Sequence, residues 1–161
     1  MSTVGEAMEE LRNAFLDITP PDGVSLGERV WAWPVDRAEI SYNIFPFIIC
    51  AQVVNEPGNW NPMSQGVGYH HYPVEILICL NNWSSRDDIT AEDEEGAQRW
   101  LLAAATVFFR NRGLGGAVLD LGGEQALFTS QIGHLGWLAN QEFFGVYLRS
   151  QIHQIHSLPS I

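Results

Sequence analysis

Five histidines and two cysteines offer this chain the most chemistry, and their spacing decides of what kind. His70 and His71 are adjacent, just ahead of an apolar run that reads as a strand. Strand neighbours point to opposite faces, so the two cannot ligate one metal from there. His153-x-x-His156 would share a face on a helix, but this pair follows a strand-like run. A tetrahedral zinc site takes three or four ligands, and His134 could join either pair only by a tertiary contact that spacing does not show. The expectation is therefore exposed or hydrogen-bonded histidines and no metal site. Cys50 and Cys79 sit inside the apolar runs FIICAQV and EILICL, with no C-x-x-C, and read as buried free thiols.

The carboxylates give no better acid–base pair. Asp87, Asp88, Glu92, Asp93, Glu94 and Glu95 form a dense run without the alternation and central glycine of a calcium loop. It reads as a helix start and a solvated face. Gly113-x-Gly115-Gly116 follows a helix instead of opening one, so it is no phosphate cradle. Neither cysteine has an electropositive setting, and Ser130 and Ser150 read as strand serines. All eight basic residues are Arg. The absence of Lys excludes a P-loop lysine, a lysine Schiff base and a Ser-Lys dyad. The residues therefore read as non-enzymatic, with no catalytic side chain and no cofactor.

What remains is surface. The formal net charge is −11. Phosphates repel such a chain, so it makes a poor general binder of nucleic acid or anionic membrane. Beyond Glu124 only Glu142 and Arg149 carry full charges, which suits a sheet face or a contact between subunits. The tryptophans Trp31, Trp33, Trp83, Trp100 and Trp137 are spread over nearly every segment, and most read as core. Trp60 differs, because it sits with Met63 in the Pro/Gly/Asn-rich stretch 55–68; exposed loop Trp and Met are typical anchors of protein contacts. Trp60 and Met63 are the candidate interface residues, with Trp60 folding back on its own domain as the alternative.

These side chains need elements to position them. At roughly 150 residues per domain, 161 residues make one domain, 1–161. No apolar run reaches membrane-spanning length, and the acidic start MSTVGEAMEEL lacks the basic-then-apolar pattern of a secretory signal. Thr3-x-x-Glu6 is a capping box, and Val4, Met8, Leu11 and Phe15 follow at helical spacing, predicting a helix over 3–17. Strands are predicted at 29–33 and 47–54, a loop or extended hairpin tip at 55–68, and a strand at 73–80. Thr90-x-x-Asp93 opens a helix over 91–112, stopped by Gly113. Its stripe is Trp100, Leu101, Ala104, Val107 and Phe108, and the nearly unbroken apolar run 100–109 predicts cover on more than one side. Strands follow at 117–121, at 126–132 ahead of Gly133, and at 142–152. The order helix, three strands, helix, three strands gives an α+β fold: an antiparallel or mixed sheet packed on one long central helix, plus an N-terminal helix.

This layout resembles the siphophage tail terminator family, also called minor tail or tail completion proteins. The N-terminal helix and a Pro-containing segment lead to FPFIICAQVV. A long variable hairpin, the strand PVEILICL, one long helix and a closing antiparallel set ending NQEFFGVYLRSQIHQIH follow. The resemblance covers nearly the whole chain, and RVWAWP is not part of it. It implies a structural protein of the virion tail, held in the host cytoplasm before assembly. Copies would form a hexameric ring that caps the tail tube protein, ends tail growth and meets a head-completion or connector protein, with DNA passing through unbound. The rival class is a soluble α+β cone-type module whose aromatics line a small-ligand pocket.

Overall fold

The computed structural model describes residues 3–32, 42–53, 56–118, 120–123, 125–138 and 141–158. Among them the fold is mixed α/β: a seven-stranded mixed sheet and two α-helices. Helix α1 is Val4–Leu16, and Thr3 caps it by accepting a hydrogen bond from the Glu6 N–H at 3.1 Å. Helix α2 is Ala91–Arg110. Its capping box closes both ways: Thr90 Oγ1 accepts from the Asp93 N–H (3.1 Å), and the Asp93 carboxylate accepts from the Thr90 N–H (2.9 Å). The acidic run thus satisfies a helix start, as its spacing predicts. The helix stops at Asn111, ahead of Gly113, with the Asn111 amide donating back to the Val107 carbonyl at 2.8 Å.

The strands are β1 (Val30–Ala32), β2 (Phe47–Gln52), β3 (Asn59–Ser64), β4 (Val67–Asn82), β5 (Asp120–Leu121), β6 (Thr129–Leu138) and β7 (Gln141–Ser157). Trp33, read above as the end of a strand, lies outside the described residues. β4 and β7, of 16 and 17 residues, pair antiparallel over nearly their whole length. β3 and then β2 lie end to end along the free edge of β4, and β5 and β6 do the same along β7. β1 adds to β2 in parallel, which makes the sheet mixed.

Three expectations are corrected. β4 starts at Val67 and runs straight through Pro73. A proline is tolerated there because Pro73 turns its carbonyl, and therefore its missing N–H, toward the seam between β3 and β2, where that carbonyl accepts from Val53 N–H at 3.0 Å. β6 continues through Gly133, whose φ of +150° places it where glycine carries no penalty. The 117–121 strand shrinks to β5, because Ala117 and Val118 still donate back to the Leu114 and Gly113 carbonyls of the 3-10 turn at Leu114–Gly116.

Both helices cover one face of the sheet. Met8, Leu11 and Phe15 from α1 and Trp100, Ala104 and Phe108 from α2 meet Val74, Ile76, Ile78, Val146 and Leu148 in one core. Phe108 packs edge-on against Phe15 (5.8 Å) and stacks on Phe128 (4.6 Å). Leu101 is only half-buried, and Leu102 and Phe109 are 70% and 69% exposed. α2 is therefore covered on one side among the described residues, contrary to the reading of its wide apolar run. The opposite face of the sheet carries a smaller cluster of Phe47, Ile49, Leu77, Cys79, Leu135 and Phe143, joined by Trp31, Tyr42, Phe45 and Tyr147. Cys50 and Cys79 are buried free thiols on opposite faces, and burial pushes both well above the ordinary thiol range.

Candidate functional site

Within the stretch read as a loop or hairpin tip, the described residues 56–68 are built as an arm. β3 pairs with the start of β4 through a two-residue turn at Gln65–Gly66, where Gly66 takes a φ of +75°. Every residue of β3 is exposed. The register shifts between Pro62 and Ser64, which puts Met63 on an irregular, outward-bent strand. Trp60 and Met63 are 53% and 55% exposed. Trp60 nevertheless has a fixed seat: its indole lies flat on the His70 ring, centroids 3.9 Å apart and planes within 8°, with His156 at 5.3 Å.

The arm's root gathers four of the five histidines, sorted by the strand alternation. His70 and His156 lie on the helix-bearing face, with His70 Nδ1 3.2 Å from His156 Nε2. His71 and His153 lie on the other face, stacked at 5.5 Å with planes within 5°. H-x-x-H is thus split between faces, because β7 stays extended to Ser157. His153 spends both nitrogens: Nε2 donates to the Gly122 carbonyl at 2.8 Å, which leaves Nδ1 to accept from the Tyr69 hydroxyl. Desolvation, then the neighbouring His156 and His71, holds His70 down at about 4. His134 is far from these, beside Glu142 at 3.2 Å. Among the described residues no three His, Cys, Asp or Glu side chains converge as a metal site.

Two polar side chains that sequence reasoning missed are visible only through long-range pairing. Gln154 is 1% exposed and ties three segments together. Its carbonyl accepts from Tyr72 OH (2.6 Å), and its amide donates to the Thr3 and Ala117 carbonyls at 3.0 and 3.3 Å. On the opposite face Glu75 accepts from Tyr147 OH at 2.8 Å. Burial raises its pKa, with the Tyr147 bond and Arg149 opposing. Arg149 is held by Glu56 in a two-pronged pair, and that bond keeps the Glu56 carboxyl below its usual range.

One further nucleophile, Ser25, is not among those read above. Gly23-Val24-Ser25-Leu26-Gly27 has G-x-S-x-G spacing. A nucleophile elbow needs a strand before the serine and a helix after it. Here a 3-10 turn precedes, strand β1 is the next element, and Ser25 Oγ accepts from the Gly27 N–H at 3.1 Å in a local turn. A cleft of about 300 Å³ lies between the first turns of α2 and the strand ends, lined by Phe45, Leu80, Trp100 and Phe144 together with Asp93 and Arg99. No helix among the described residues is long and apolar enough to cross a membrane. No family model matches the chain, and no curated protein matches it.

Proposed function

We propose that this chain is a structural phage protein of the tail terminator kind, a single α+β domain with α2 as its long central helix. Copies close the end of the tail tube as a hexameric ring, end tail growth and offer the surface that meets the head connector. The observation that carries this reading is the arm. A wholly exposed strand on the free edge of β4 presents Trp60 and Met63, and strands β6 and β7 elsewhere in the sheet carry only two full charges, Glu142 and Arg149. Exposed aromatic and Met side chains suit a contact with another subunit or the tube, and a nearly neutral strand pair lets copies of a −11 chain approach with least repulsion. The acidic balance also suits a lumen through which DNA passes without sticking. The subunit acts without catalysis or cofactor, works at the head–tail junction of the virion, and is a monomer in the host cytoplasm before it meets the tube.

The test is an early stop codon in this gene followed by electron microscopy of the lysate. The expected result is filled heads without tails beside loose tails of irregular or excessive length. Normal joined particles would overturn the reading. The cleft of about 300 Å³ beside Phe45, Trp100 and Phe144 favours a second reading, a small-ligand module, because it falls at the lower end of the size range of ligand sites. That reading takes first place if the particles are normal.

A further inference from the structure

We infer that His70 and His156 together form a binding site for one divalent transition-metal ion of the copper, nickel or zinc kind, open to solvent beside Trp60. The inference does not depend on the proposed function. Imidazole is the common protein ligand for these ions. His70 Nδ1 and His156 Nε2 face each other at 3.2 Å. With metal–nitrogen bonds of about 2.0–2.1 Å, an ion between them sees the two nitrogens at roughly 100°, an ordinary angle in tetrahedral coordination. To exchange the shared hydrogen bond for a metal, each ring turns so that its in-plane lone pair meets the ion instead of the facing nitrogen.

The surroundings hold the rings in that pose. His70 is 5% exposed, pressed between Trp60 and the Gly58 backbone, where an added Cβ would lie 2.5 Å from His70 Nε2. His156 is the more exposed of the two, only half-buried. Metal entry requires both facing nitrogens unprotonated. The ring that donates in the metal-free protein then carries its proton on its far nitrogen, and water completes the coordination. The −11 charge of the chain favours any cation near it. His71 and His153 supply the internal contrast: they are direct register partners, whereas His70 and His156 are offset by two residues, but both His153 nitrogens are already bonded, to Tyr69 and to the Gly122 carbonyl.

The probe is Cu²⁺ alone, titrated into the full chain and followed by tryptophan fluorescence and electron paramagnetic resonance. One ion per chain should saturate in the micromolar range, quenching the indole that rests on His70. The spectrum should show two imidazole nitrogens on the metal. H156Q should weaken binding by at least about tenfold, the loss already typical when only a supporting shell is changed, and H153Q should bind like the parent. The inference is overturned if saturation needs more than about 1 mM Cu²⁺, or if H156Q binds as the parent does. It is equally overturned if H153Q weakens binding as much as H156Q. The nitrogen count on the parent protein needs no variant, and one nitrogen or none there would also overturn it.

Discussion

Gly145 lies so close to the neighbouring strand that a Cβ on it would sit 1.9 Å from the Ile78 carbonyl oxygen. Across the other edge of β7 its partner is Gly133, so two glycines face each other beside the spine of the sheet. The obstruction is backbone, which no rotamer change relieves. G145A should therefore cost about 3 kcal/mol or more, the upper end for overpacking. Urea unfolding is the measurement, and a change under about 0.5 kcal/mol would show that β7 does not approach β4 this closely.

The orientation of α2 can be read from three substitutions. F108A removes a fully buried ring that touches Phe15 and Phe128, and should cost about 3–5 kcal/mol. L101A, at a half-buried site, should cost clearly less. L102S, at a side chain 70% exposed, should stay within about 0.5 kcal/mol. Any other order in chemical denaturation places the helix on the wrong face.

Glu75 gives the protein a pH signature of unusual sign. Burial raises its folded pKa above the unfolded value. The native state then holds the proton more tightly, so the stability due to Glu75 is full below the unfolded pKa and is lost as pH rises through the folded one. E75Q keeps an acceptor for Tyr147 and has no charge to bury. Relative to the parent, E75Q should gain stability between about pH 4 and pH 7. Denaturant melts at both ends of that window check it, and a parent–variant difference that does not move with pH would refute it.

Hydrogen exchange should find the arm the least protected paired segment. β3 is wholly exposed and joined only to β4 among the described residues, whereas Ile76–Ile78 is fully buried between β2 and β7. Equal protection of 59–64 and 76–78 would contradict this.

Local signals in the sequence carried the local structure. Thr3 and Thr90 mark both helix starts, FIICAQ reads as a buried strand, and the period of two already separates His70 from His71. What stayed hidden depends on distant partners. His70 and His156 are 86 residues apart, and nothing local to either says that their nitrogens meet. Pro73 and Gly133 carry strong breaking signals, yet each falls where the sheet tolerates it, at a seam and opposite another glycine. The apolar run 100–109 predicts cover on a second side, yet Leu102 and Phe109 are exposed, because an apolar run cannot say which side of a helix lacks a neighbour.

β4 and β7 belong at once to the helix-covered core and to the arm, because neither strand breaks between them. A force applied at Trp60 enters β4 through the His70 ring on which the indole lies. It travels as shear along a continuous ladder into Ile76, Ile78 and Leu148, where both helices grip the sheet. The arm is in that sense a lever rigidly welded to its own fulcrum. Whatever seats against it is read by the whole subunit.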